Sequence, residues 1–157
     1  MTDAPDHDAD VTRIMTALAH GIHGRHQAAM DLLMPIMQRG PQATCCMLAA
    51  LADAATLNAR RHQPPGTHFG LAALHLDGSP GDIDNAAPGP RFAARFVTAW
   101  ANGDHPTAYA LYEAMLTGEA KRTMSDDLAI GIRTVYDMAV TSLRDMRQRE
   151  NSKPTSP

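Results

Sequence analysis

The sequence has few cysteines, no long apolar run and no pattern of a secretory signal. Its only two cysteines, Cys45 and Cys46, are adjacent, so they cannot join distant parts of a fold, and a reducing compartment suits them. No run of 18 apolar residues is present, and the first ten residues are acidic, whereas a secretory signal begins basic and then turns apolar. These absences predict a cytoplasmic protein with no membrane partner.

Aromatic residues are scarce, at 4%, and there is no excess of positive charge, because the formal net charge is −3. Phosphate neutralisation requires such an excess, so nucleic acid is a disfavoured partner. The 44% of apolar residues come mainly from alanine, leucine and ten methionines, which are strong helix formers. At 157 residues the chain is long enough for one core, and we predict a single all-α domain.

Apolar residues recur every three to four positions in six segments, which predicts six amphipathic helices. Pro35 interrupts the second pattern, so that helix should kink or end early. The sixth helix is predicted to open with a capping box from Thr123 to Asp126 and to end near Arg149. The other five are predicted over 11–21, with Asp10 as cap, 26–38, 42–60, 90–102 and 105–117.

Proline and glycine are concentrated in 62–90, which predicts an irregular linker. Inside it, Phe69 to Leu76 is either one buried strand or two helical turns, with helix slightly favoured. The polar ends, 1–9 and 151–157, are predicted to be disordered. The expected organisation is one domain over 10–150, with three-helix units at 10–61 and 91–150.

The two units share a pattern at an offset of 79 residues, which an internal duplication explains. At this offset Gly24 aligns with Gly103, His26 with His105, Ala29 with Ala108, Leu32 with Leu111 and Leu33 with Tyr112.

The turn and second helix of each unit resemble the middle of a tetratricopeptide (TPR) motif. The second copy has Gly103, Asp104, Ala108, Tyr112 and Leu116 in the family's order, and the first has Gly24, Ala29, Leu33, Met37 and Pro41. The resemblance implies stacked TPR-like helical hairpins whose concave face binds a peptide or protein segment. Two copies leave exposed ends, which either the last helix or a second copy of the chain must cover, so a homodimer is compatible with this architecture.

Aromatic residues of the fourth and fifth helices are the candidate lining of a partner-binding groove. They are Trp100, Tyr109 and Tyr112, with Glu113 beside them. In the alternative interpretation the two tyrosines are half-buried contacts between the helices, with their hydroxyls at the rim.

Three histidines, His20, His23 and His26, stand three residues apart and could bind Zn or Ni on one face of an unbroken helix. Gly21 and Gly24 interrupt that helix, so the favoured alternative is that His26 fills the turn and the other two are solvated.

Two further clusters have a chemical and a structural interpretation. Cys45 and Cys46 are either a redox pair or packing residues on an apolar helix face, which is favoured. The loop carrying Asp77, Asp82 and Asp84 is either a cation site or a solvated turn, and it lacks the spacing and distal glutamate of a calcium loop.

Known catalytic motifs are missing: there is no phosphate-binding Walker loop, no Gly-x-Ser-x-Gly and no paired Cys-x-x-Cys. We therefore expect no enzyme and no cofactor, but a protein-interaction or regulatory module with a protein partner. The alternatives are a DNA-binding regulator that uses the arginine-rich end of the third or sixth helix, and a metal sensor that uses the three histidines.

Overall fold

A computed structural model describes residues 4–71, 73–74, 79–118 and 123–152, without the side chains of 4–6 and 73–74. The fold is all-α, as predicted, and these residues form six α-helices and two minimal antiparallel strand pairs. The helices are α1 (Ala4–Ile22), α2 (His26–Gln38), α3 (Pro41–Arg61), α4 (Pro88–Ala101), α5 (His105–Ala114) and α6 (Asp126–Asn151). β1 (Ala73–Leu74) pairs with β2 (Pro80–Gly81), and β3 (Leu116–Thr117) pairs with β4 (Thr123–Met124).

The helices share one hydrophobic core, and α3 and α6 lie at its centre. These two helices pack on each other along much of their length, α4 packs on both, and α1 packs on α2 and α6. Each helix turns most of its large apolar side chains toward this core, because this removes apolar surface from water. The fully buried large side chains of the core include Leu33, Met47, Leu51, Phe96, Leu128, Val135 and Tyr136.

The turns α1–α2 and α4–α5 have the same geometry. Gly24 and Gly103 have φ of 75° and 72°, a conformation in which glycine carries no steric penalty. The Gly24 N–H donates to the carbonyl of Gly21 at 2.9 Å, and the Gly103 N–H donates to that of Trp100 at 3.0 Å. In both turns the next residue donates to the carbonyl five residues earlier. The two turns therefore have the same local structure.

The start of the first helix differs from the prediction. α1 begins at Ala4, so residues 4–9 are helical rather than disordered, and Asp10 lies inside the helix instead of capping it. Acidic side chains in the first turns of a helix are stabilised by its dipole, which favours this longer α1. Asp10 forms ion pairs with Arg13, at 3.3 Å, and with Arg39, the C-cap residue of α2. Residues 1–3 lie outside the described residues.

α2 continues through Pro35 to Gln38, so the prediction that this helix ends early at the proline is wrong. Leu33 and Ile36 on either side of the proline are fully buried. Their packing offsets the loss of one backbone hydrogen bond, because tertiary contacts outweigh local helix propensity.

The ends of α5 and α6 also differ from the prediction. α5 ends at Ala114, and Leu116 and Thr117 form β3 instead of a last helical turn. The N-cap of α6 is Ser125, whose Oγ accepts the Leu128 N–H at 3.1 Å, so the box proposed from Thr123 is wrong. α6 continues to Asn151, and the predicted disordered tail from 153 onward lies outside the described residues.

The linker contains little helix. Residues 69–71 are irregular and Ala73 and Leu74 form β1, so the helical interpretation of this segment is wrong for them, while 72, 75 and 76 lie outside the described residues. The Asn102 side chain holds the Phe69 main chain through two hydrogen bonds of 2.7 and 2.9 Å. None of the helices in the described ranges combines the length and the apolar character needed to cross a membrane.

Candidate functional site

The predicted aromatic groove is largely used inside the protein. Trp100 is buried, its Nε1 donates to the Asp53 carboxylate at 2.8 Å, and its ring stacks on His105 at 4.2 Å. Tyr112 is buried as well, and its hydroxyl donates to the Pro41 carbonyl at 2.6 Å. Burial raises the pKa of Tyr112 to about 12. Trp100 and Tyr112 therefore offer little surface to a partner.

Tyr109 and Glu113, the other two predicted groove residues, are exposed. Tyr109 is 46% exposed and meets the edge of the Trp100 ring at 6.3 Å. These two side chains remain available to a partner, whereas Trp100 and Tyr112 are buried.

The three histidines face different neighbours. His23 Nε2 lies 3.5 Å from an Arg147 guanidinium nitrogen, and His26 Nδ1 lies 3.2 Å from the Tyr136 hydroxyl. His20 Nδ1 is buried without a hydrogen-bond partner. Among the described residues no group of three or more His, Cys, Asp or Glu side chains is placed to hold a metal ion.

The two cysteines are free thiols, with Cys45 half-buried and Cys46 exposed. Burial, together with the smaller effects of the neighbouring Cys46 and Glu113, raises the pKa of Cys45 to about 11. Since the thiolate is the reactive form, a thiol with so high a pKa is a poor nucleophile. This environment fits packing better than redox chemistry.

The acidic loop is a hydrogen-bonded turn in the part that the structure describes. Asp82 accepts the Asp84 N–H at 2.9 Å at the start of the short 3-10 helix Ile83–Asn85. Asp84 forms an ion pair with Arg95 at 2.5 Å. Asp77 lies outside the described residues.

Two arginines near the end of α6 have partners within the protein. Arg144 donates to the Gly21 carbonyl at 3.1 Å at the end of α1, and Arg147 is the neighbour of His23. These contacts leave fewer arginines of α6 free to bind the phosphate backbone of a nucleic acid.

A cleft between α3 and α6, which we call the α3/α6 groove, is the best candidate for a site. Its volume is about 660 Å³. The α3 wall consists of Ala55, Asn58, Ala59 and His62, which share one face at helical spacing, and Gln63 closes it at the end.

The α6 wall is a polar stripe over four turns of the helix. Its polar members are Thr134, Asp137, Thr141, Ser142, Asp145 and Arg149. Residues at this spacing lie on one face of a helix. Two helix faces therefore form an elongated trough on top of the central helix pair, in which these polar groups stand among apolar side chains such as Ala55 and Met138.

Two polar atoms of this groove are buried and have no hydrogen-bond partner, Asn58 Oδ1 and Ser142 Oγ. The threonines of the same wall differ, because Thr134 and Thr141 each donate to a carbonyl of their own helix at 2.9 Å. Most buried polar groups in proteins are paired, and leaving one unpaired costs about 1–3 kcal/mol. Asn58 and Ser142 thus carry unused hydrogen-bonding capacity at one place.

No family model matches the chain, and neither a curated protein nor a solved structure matches it. The groove and its side chains are therefore the basis for a function.

Sequence spacing contained a signal for this groove, in the polar residues that recur along α6 between 134 and 149. A polar stripe on an amphipathic helix is ordinarily its solvated face. Only the packing of α3 beside α6 turns this stripe into the wall of a cleft.

Proposed function

We propose that the chain is a non-catalytic protein-interaction module that binds a segment of a partner protein in the α3/α6 groove. The observation that carries this proposal is the pair of buried, unpartnered atoms Asn58 Oδ1 and Ser142 Oγ in that groove. A peptide main chain offers an N–H and a C=O at every residue, so it can pair with both side chains, whatever its own side chains are, once they rotate to bring these buried atoms to the groove surface.

The shape of the groove favours an extended segment. Its wall on α6 covers 134–149, or about 22 Å at 1.5 Å per residue, and its wall on α3 covers 55–63, or about 12 Å. An extended chain rises about 3.3 Å per residue, so about four residues fit along the α3 wall and about seven along the α6 wall. Segments of this kind gain affinity from main-chain hydrogen bonds and specificity from side chains.

The matching turns at Gly24 and Gly103 support a further part of the proposal, a duplicated scaffold of TPR-like hairpins. In such a scaffold the hairpins serve to hold α3 and α6 side by side. The adjacent, unbridged cysteines favour a cytoplasmic location.

Capture of partners from the source cells by the tagged protein tests this function. Ala59→Arg places a long cation in the groove from an exposed position, and Ala110→Arg makes the same change at an exposed position of α5 away from it. We expect a protein partner to be recovered in stoichiometric amount with wild type and with Ala110→Arg, also after nuclease and chelator treatment, and to be lost with Ala59→Arg. Equal recovery with both variants would contradict binding in the groove.

Self-association is a second candidate, favoured by a separate surface. Val11 and Met15 of α1 are 46% and 62% exposed and border an apolar cavity of about 260 Å³ between α1 and α3. Exposed apolar side chains next to an apolar hollow are typical of interaction sites. Light scattering over a concentration series tests this: a dimer that Met15→Glu dissociates supports it, and a monomer at all concentrations excludes it.

A further inference from the structure

We infer that the segment bound in the α3/α6 groove carries a basic and an acidic side chain two residues apart, which pair with Asp145 and Arg149. This inference rests on the proposed function and specifies the chemistry of the partner.

Asp145 and Arg149 are the charged groups of the groove that are free to receive a partner. Asp137, on the same wall, already forms an ion pair with Arg133 at 3.1 Å. Within the described ranges, neither Asp145 nor Arg149 forms an ion pair or a side-chain hydrogen bond, although both line the groove.

The two charges do not pair with each other, although they stand four residues apart on α6. An acid four residues before a base stabilises a helix, but such a pair shifts the equilibrium between the paired and unpaired side chains only about twofold. A partner that satisfies both charges at once can therefore outcompete their mutual attraction.

Their spacing fits an extended chain. Four helical residues rise about 6 Å. In an extended segment, side chains on the same face are two residues apart, or about 6.6 Å. A segment that lies along α6 can consequently place one basic and one acidic side chain over Asp145 and Arg149 while its main chain faces Asn58 and Ser142.

The order of the two charges along the segment depends on the direction in which its main chain lies. We infer that the segment binds in one direction, which gives a single order, basic-x-acidic or acidic-x-basic. Exposed ion pairs are weak, and each should contribute about two- to fivefold in affinity.

A phage-displayed library of random heptapeptides, selected on the immobilised full-length protein, tests the inference. We expect the enriched peptides to share one order of the two charges at a spacing of two. The double variant Asp145→Arg with Arg149→Asp keeps the net charge, and it should enrich the reverse order.

Synthetic peptides from the selection then give the size of the effect. Replacing either charged residue of the peptide by glutamine should weaken binding two- to fivefold, and this loss should be smaller at high salt. Circular dichroism of the double variant must show wild-type helicity, and Ser142→Leu and Ala59→Arg serve as variants that block the groove.

Peptides that bind and are lost with Ser142→Leu and Ala59→Arg, but share no charge pair, would overturn the inference and leave the proposed function standing. Peptides whose charge order does not change with the double variant would also overturn it. Failure to select any peptide that these two groove variants affect would overturn both.

Discussion

Replacing Ser142 by alanine should raise the stability of the free protein. Its Oγ is buried without a partner, and burying an unpaired hydroxyl costs about 1–3 kcal/mol. Alanine also favours a helix interior by about 0.5 kcal/mol over serine. Removal of one oxygen leaves only a small void, which offsets part of this gain. We expect the free energy of unfolding to rise by about 1–2 kcal/mol, which corresponds to about 3–6 °C in Tm for a chain of this size.

Urea denaturation and calorimetry measure this change, and Ser125 provides the matched control on the same helix. Ser125 Oγ caps α6 and donates to the Met115 carbonyl at 2.8 Å. Ser125→Ala should therefore lower the free energy of unfolding by about 1–2 kcal/mol. An unchanged or lowered stability of Ser142→Ala would refute the reasoning that this hydroxyl is an unsatisfied group.

The same Ser142→Ala change should weaken the binding of a segment in the α3/α6 groove. A site that holds unpaired polar groups for a ligand is less stable than its apolar replacement, so stability and binding move in opposite directions. Loss of one hydrogen bond should reduce affinity by about five- to tenfold, as titration calorimetry with a selected peptide would show.

Three further predictions concern the fold. Gly131→Ala should lower the free energy of unfolding by about 1–2 kcal/mol in urea, because the new Cβ would lie 2.6 Å from Phe92 Cδ1 and overpacking outweighs the gain in helix propensity. Trp100→Phe should lower the free energy of unfolding by about 1 kcal/mol in the same assay, because it removes the hydrogen bond from the indole to Asp53. The effect is modest because the Asp53 side chain is exposed, which weakens the bond. Stability should fall as pH rises from 9 towards 11, because folded Cys45 keeps a proton that the unfolded chain releases, and Cys45→Ala should reduce this fall.

Each of these has a control and an outcome that contradicts it. A Gly131→Ala variant more stable than wild type would show that α4 and α6 are not in close contact there. Tyr109→Phe removes an exposed hydroxyl and should leave stability unchanged, so a loss equal to that of Trp100→Phe would count against the indole bond. Cys46 is exposed, and if Cys46→Ala changed the alkaline slope as much as Cys45→Ala, burial would not be the cause.

Most helices could be predicted from the sequence because their signals are local. Glycine at 24 and 103 ends the first helix of each hairpin through a backbone conformation that other residues rarely adopt. The early start of α1 was missed although the acidic residues of its first turns are visible in the sequence. The passage of α2 through Pro35 was missed because it depends on the burial of Leu33 and Ile36 in the core.

The candidate site could not be predicted in the same way. Aromatic side chains suggested a groove at Trp100 and Tyr112, but their polar atoms are satisfied by Asp53 and Pro41, 47 and 71 residues away in the chain. The α3/α6 groove arises from the packing of two helices distant in sequence. Its polar stripe has the spacing of an ordinary solvated face, so no local pattern distinguishes it.

Site-specific photo-crosslinking in the source cells tests the central claim most directly. A photoreactive amino acid is introduced at Ala59, in the α3/α6 groove, or at Ala110, on the exposed face of α5. Our account predicts one discrete crosslinked partner from position 59 and none from position 110. The crosslinks from position 59 should fall within one short segment of that partner. No crosslink from position 59, or the same products from both positions, would contradict the binding of a partner segment in the groove.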